Sequence, residues 1–199
     1  MINNIDLIKP LLNFEEKGDF YMLYVFKRKK DQPEGEKDNH QSVRTIKTYC
    51  VESLEYLDKR YDEIIGLCEM FKARAYIHIQ KQNHRDVSME MMIELATRIK
   101  SNAVNQKDLF ESVVGQIKVY EKRWIIDIDT KDYSVVSNTM YEIDQLQPVG
   151  PKCIVVIPTK NGFHLITKPF RYDEFKKMYP LTDVQKKNPT MLYYPNSLD

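Results

Sequence analysis

Cysteine is scarce in this chain and badly placed for a framework. Cys50, Cys68 and Cys153 are odd in number, far apart and each in apolar surroundings, which excludes a disulfide scaffold and a zinc knuckle. Long hydrophobic runs are missing too: no uninterrupted apolar stretch approaches the roughly 20 residues that a membrane-spanning helix needs. The opening Met1-Ile-Asn-Asn-Ile-Asp6 lacks the basic-then-apolar layout of a secretory signal, so a cytoplasmic protein without a membrane partner is expected. Neither charge is in excess, since 30 Lys and Arg against 29 Asp and Glu leave a net charge of +1. That excludes a protein that coats nucleic acid by bulk electrostatics, because such affinity requires many phosphates to be neutralised at once. No internal repeat is visible.

What is present suits a single domain, or one compact two-lobed unit with a shared core, spanning residues 1–199: 42% of the residues are hydrophobic and 30% charged. The pattern alternates strands and helices. Residues 5–17 read as a helix ended near Gly18, Phe20–Phe26 and Val43–Cys50 as a strand hairpin, and the wholly polar 31–42 between them as a mobile loop. Ser53–Phe71 is an amphipathic helix with Leu54, Leu57, Tyr61, Ile64, Ile65 and Cys68 at steps of three and four. Ala73–Gln80 reads as a strand, Met89–Lys100 as a helix with Met91, Met92, Leu95 and Ile99 turned inward as core filler, and 106–119 as a further helix. Lys122–Asp129 follows as a strand, Ser134–Gln145 as a helix, 154–167 as a strand hairpin and Tyr172–Tyr179 as a short helix. The fold class is therefore α/β of the α+β kind, a mostly antiparallel central sheet with helices packed against it.

Two segments carry chemistry. In Trp124-Ile-Ile-Asp127-Ile-Asp129 the carboxylates share parity and point the same way from one strand. Two anions side by side on a largely buried strand are costly unless a cation lies between them, and a divalent metal is the usual answer. The bland reading is a strand end where both meet water or a lysine. In the hairpin Ile154-Val-Val-Ile-Pro158-Thr159-Lys160-Asn161-Gly162-Phe163-His164, Asn161-Gly162 is a turn dipeptide that tolerates positive φ. Thr159, Lys160 and the exposed amides of the turn are candidates to cradle a phosphate. His164 has the opposite parity to Phe163 and Leu165, so it faces whatever the hairpin covers if those two face the core.

These motifs, in this order, resemble those of the archaeo-eukaryotic primase superfamily, the primase-polymerases. Asp127 and Asp129 match its D-x-D strand, and Gly162-Phe163-His164 matches its G-x-H turn and strand. The resemblance covers roughly residues 70–195. It implies that Asp127 and Asp129 hold catalytic Mg²⁺ or Mn²⁺ and that His164 contacts the phosphates of an incoming nucleotide. It further implies nucleoside triphosphates and a single-stranded nucleic-acid template as partners, with a helicase or another replication protein beside them. The family's third motif is an acid on a later strand. Here the pattern departs, for Asp183 is the only acid in 181–195 and nothing local makes it equivalent. The ending Asn196-Ser-Leu-Asp199 reads as a truncation beyond which that acid could lie.

Arg74-Ala-Tyr76-Ile-His78-Ile-Gln80 places Arg74, Tyr76, His78 and Gln80 on one strand face. That face either lines a groove, with Arg74 neutralising phosphate and Tyr76 stacking on a base, or is the solvent side of a sheet. Lys27-Arg-Lys-Lys30 is likewise either part of a basic groove or a solubilising hairpin end. The functional expectation is a metal-dependent nucleotidyltransferase. The alternatives are a catalytically inactive nucleotide- or nucleic-acid-binding protein of the same fold and a metal-dependent nuclease. His78 and His84 lack the paired-histidine spacing of a nicking nuclease.

Overall fold

The computed structural model describes residues 1–28, 31–32, 43–103, 108–119 and 121–198. Apart from Asp31 and Gln32, the polar stretch 31–42 lies outside them, as do Lys29, Lys30 and the first residues of the helix expected at 106–119.

The chain opens with β1 (Ile2–Asn3), the single turn α1 (Ile5–Ile8) and a 3-10 turn, Lys9–Leu11. The helix expected over 5–17 stops there. Leu12 is extended, and the amides that would continue the ladder are taken by side chains: that of Asn13 donates to the Tyr21 hydroxyl, those of Glu15 and Glu16 to the Asp19 carboxylate. The long strands β2 (Asp19–Arg28) and β3 (Val43–Val51) pair antiparallel. Helix α2 (Leu54–Phe71) starts where the Ser53 side chain accepts from the Tyr56 amide and ends at Lys72 in the left-handed region. After it come β4 (Arg74–Ile77), β5 (Gln82–Asn83), α3 (His84–Lys100) and α4 (Leu109–Gln116). Strand β4 is shorter than the expected 73–80 because Gln80 leaves the sheet, its amide donating to the carbonyls of Arg123 and Lys186.

The inward-facing stripe expected on α3 is there only in part: Met91 packs against the core and Leu95 is half-buried. Met92 is 59% and Ile99 62% exposed, and Val87 is the helix's buried residue. The core cluster that α3 joins consists of Phe20, Met22, Val87, Val113 and Val114 and, among the described residues, reaches no further along the helix than Met91. The reading of Met92 as core filler is corrected accordingly.

The remaining elements are β6 (Trp124–Ile128), α5 (Tyr133–Gln145), β7 (Cys153–Pro158), β8 (Phe163–Thr167), α6 (Tyr172–Met178), β9 (Asp183–Gln185) and β10 (Thr190–Tyr194). Among the described residues the strands form two sheets, and every pairing is antiparallel. The first has the order β1-β10-β4-β2-β3, with β5 against the start of β2; the second has the order β7-β8-β6-β9. The second is built from consecutive elements, β6-α5-β7-β8-α6-β9, the split βαβ arrangement with β6 and β8 central. Its helices cover one face, where Ile126, Ile128, Val136, Ile143, Leu165, Phe170 and Phe175 form a core. From its other face Ile125, Ile157 and Ile166 enter the main core with Leu23, Ile77 and Leu192 of the first sheet. The buried Asn4 amide ties the sheets together, donating to the carbonyls of Pro158 and Met191. No described helix is long and apolar enough to cross a membrane.

Candidate functional site

Strand parity decides what the second sheet shows the first. Ile126 and Ile128 face the helices, so Ile125 and Asp127 face the first sheet; on β8, Phe163 and Leu165 face the helices and His164 does not. Register then brings three polar residues into line. Asp127 is the cross-strand partner of His164 on one side and of Asp183 on the other. Asp129 lies just past the end of β6 and is exposed. The structure thus brings Asp127, Asp183 and His164 together at one place on the sheet, with Asp129 next to them. Asp183, the acid that no local pattern marked, occupies the strand beside Asp127.

His164 is 6% exposed. Its Nδ1 lies 2.9 Å from the Thr190 hydroxyl on β10, and its Nε2 faces Asp127 Oδ1 at 3.6 Å, too long for a strong hydrogen bond. Burial, and secondarily the Arg28 guanidinium, hold the imidazole down to about 4. The Asp127 carboxyl is pushed the other way, above the ordinary carboxylate range, first by burial and then by Asp129 and Asp183, with Arg28 opposing.

The first sheet supplies cations. Arg28 Nη2 donates to the Tyr76 hydroxyl at 3.2 Å and its guanidinium lies 5.5 Å from that ring. Arg74, 3% exposed, donates to Asp31 Oδ1 at 2.6 Å and sits 4.9 Å from the centre of the Tyr194 ring, while its Nε is buried without a partner among the described residues. The second sheet adds Lys160, at its own β7–β8 hairpin tip, which donates to the Tyr194 hydroxyl from 5.0 Å off the same ring. Arg74, Tyr76 and Gln80 are all buried, so this strand face is not a solvent face.

The turn itself differs from expectation. Among the described residues neither Asn161 nor Gly162 has positive φ. The Thr159 amide donates to the Gly162 carbonyl at 2.8 Å and the Gly162 amide to the Thr159 hydroxyl at 3.1 Å. Those two amides are satisfied inside the turn and are not available as a phosphate cradle, while the Thr159 hydroxyl keeps its own proton to donate. Glycine is needed at 162 for another reason: a Cβ there would collide with the carbonyl oxygen of Ile128 and lie 2.7 Å from the Thr130 amide nitrogen. The tip is laid directly on the backbone around Asp129. Beside it is a cavity of about 650 Å³ lined by Asp129, Lys131, Thr159, Lys160, Asn161 and Tyr194, among others.

Among the described residues no group of three or more His, Cys, Asp or Glu side chains is arranged to hold a metal ion. What the site offers Mg²⁺ or Mn²⁺ is donor chemistry: the carboxylates of Asp127, Asp129 and Asp183 are the oxygen ligands such hard cations take. The Asp127 carboxyl is raised by burial first and by the charges of Asp129 and Asp183 after it, so a cation bound there would relieve it. Sequence reasoning did not place Arg28 and Thr190 in the site. Arg28 sat in a run of cations indistinguishable from a hairpin end, and Thr190 precedes an apolar strand with no local signal. Comparison of the chain with protein-family models, curated proteins and solved structures finds no match.

The low pKa of His164 has a measurable consequence in metal-free protein. Between about pH 4 and 6.5 the unfolded chain binds a proton that the folded imidazole refuses. Stability is therefore full above about pH 6.5 and declines as the pH falls toward 4, by ~3 kcal/mol for this one group. His78 is also held down to about 4 by burial, so the comparison that isolates His164 is the pH slope of the urea midpoint in wild type against His164→Gln. The variant's slope should be shallower, and equal slopes would exclude the effect.

Proposed function

We propose that the site around Asp127, Asp129 and Asp183 binds a nucleoside triphosphate together with Mg²⁺ or Mn²⁺ and transfers its nucleotidyl group to a 3′-hydroxyl, whose oxygen bonds to the α-phosphorus as the hydroxyl proton is lost and pyrophosphate departs, as in the primase-polymerases whose motifs this chain resembles. The observation that carries the reading is the alignment of Asp183, Asp127 and His164 across three adjacent strands, with Arg28 of the other sheet exerting its charge on both Asp127 and His164. Acids beside Arg28, with Lys160 at the tip of their own sheet's hairpin, suit a ligand that is itself a chain of phosphates carrying divalent metal. Asp127, Asp129 and Asp183 would hold the metal, which when bound polarises the phosphate and activates the attacking hydroxyl. His164 Nε2 donates to a phosphate oxygen. Arg28, Lys160 and the unpartnered Nε of Arg74 neutralise the remaining charge. Positioning and charge neutralisation, with no covalent step on the protein, account for the catalysis. A single-stranded template and a partnering replication protein belong to the same proposal.

The test is a calorimetric titration of nucleoside triphosphate with and without Mn²⁺, followed by an assay for template-directed extension. Wild type should bind only with metal, and Asp183→Asn should weaken binding at least ~10-fold, as loss of a charge-assisted contact does. Absence of metal-dependent binding in the wild type overturns the proposal. A second reading, a nucleotide-binding module without catalysis, is favoured by the lack of a three-ligand cluster among the described residues. Metal-dependent binding with no extension product would decide for it.

A further inference from the structure

The imidazole of His164 can carry its proton on either nitrogen, and its two neighbours select between them. Nε2 faces Asp127 Oδ1 at 3.6 Å, and a carboxylate oxygen only accepts, so the form with hydrogen on Nε2 is electrostatically favoured. Nδ1 is then bare and must accept from the hydroxyl of Thr190, 2.9 Å away. Thr190 has no accessible surface and the histidine almost none, so water cannot substitute for that donor, and an unmade hydrogen bond here is expensive. Thr190 also comes from β10 of the first sheet, whereas His164 lies on β8 of the second.

We propose that Thr190 is a positioning residue: by donating to Nδ1 it locks His164 in the form with hydrogen on Nε2 and aims that N–H at the anion bound beside Asp127. The consequence rests on the proposed nucleotide site; the tautomer itself does not. A neutral imidazole offers one donor. If that donor points toward Asp127, it can meet a phosphate oxygen bound there; if it points at Thr190, a lone pair meets the phosphate and repels it. The hydroxyl of residue 190 thereby sets whether residue 164 attracts or repels the ligand.

The experiment uses the full chain, labelled with ¹⁵N at histidine, at pH 7.5 without metal. The His164 resonances are identified by their loss in His164→Gln. Long-range ¹H–¹⁵N correlation distinguishes a protonated from a bare ring nitrogen. In the wild type Nε2 should carry the proton and Nδ1 should be bare. Thr190→Ser, which keeps the hydroxyl, should preserve that pattern, and Thr190→Val, nearly the same shape without it, should shift it toward mixed protonation. Nucleotide affinity in Mn²⁺ should follow, falling about 10-fold in Thr190→Val and less than about 3-fold in Thr190→Ser. A wild-type spectrum with the proton on Nδ1, or a Thr190→Val spectrum unchanged from it, overturns the proposal. If the tautomer behaves as stated but the wild type binds no nucleotide, the nucleotide site is what fails, and the lock stands.

Discussion

Replacing Asp127 and Asp129 together by asparagine should abolish metal-dependent nucleotide binding and any polymerising activity while the melting temperature holds or rises. The asymmetry follows from the state of Asp127. Its carboxyl is held above the ordinary range by burial and by the charges of Asp129 and Asp183, so in metal-free protein the ionised form is a cost to the fold, and an amide of the same shape removes it. Metal affinity moves the other way. Losing outer partners of metal ligands commonly costs 10–100-fold, so losing two of the proposed ligands should cost at least ~100-fold. Thermal melting and Mn²⁺ titration on the same preparation separate the possibilities. A sharp fall in melting temperature with metal binding intact would mean that the acids hold the fold together.

Gly162→Ala should be among the most damaging single changes in the chain. The atoms that a Cβ would meet are backbone, the Ile128 carbonyl and the Thr130 amide nitrogen, and backbone inside a paired strand end cannot turn aside as a side chain does. Overpacking of this kind costs ~3 kcal/mol or more, a fall in melting temperature of roughly 6–12 °C for a protein of this size. The neighbouring Asn161 is exposed, and Asn161→Ala should stay within ~0.5 kcal/mol of wild type. Differential scanning calorimetry on the pair is sufficient, and equal melting temperatures would show that the tip does not bear on β6. Because the displaced tip carries Lys160 and adjoins Asp129, Gly162→Ala should also weaken nucleotide binding at temperatures where it remains folded.

Much of this was legible along the sequence. Strand alternation gave Asp127 and Asp129 one direction, although β6 ends at Ile128, one residue short of Asp129, and the hairpin 154–167 lies where its apolar runs and turn dipeptide put it. Parity alone turned His164 away from Leu165. What the sequence withheld was everything decided by pairing between distant segments. Asp183 is unremarkable until β9 is laid beside β6, and Thr190 until β10 crosses to meet β8. The same limit explains the misses. Residues 12–17 have helical composition, but Tyr21 and Asp19 capture their amides. The methionines of α3 have helical spacing, but that spacing says nothing of whether a surface exists to receive them. The turn at 159–162 was recognised correctly and explained wrongly: the glycine serves a close approach, not a left-handed backbone.

The strand order of the first sheet bears on how the chain acquires its shape. The split βαβ unit is contiguous, so its pairings close over modest loops and can form as soon as residue 185 is available. In the other sheet β10, the last strand, lies between β1 and β4, so that sheet cannot be completed until everything between has been made and compacted. Such non-local closure is slow and leaves strand edges open in the meantime. During synthesis β4 is therefore made and can pair with β2 well before β10 appears to cover its other edge. The interval between them is the period in which the unpaired edge of β4 is exposed to illegitimate partners, and in which a chaperone would have most to do.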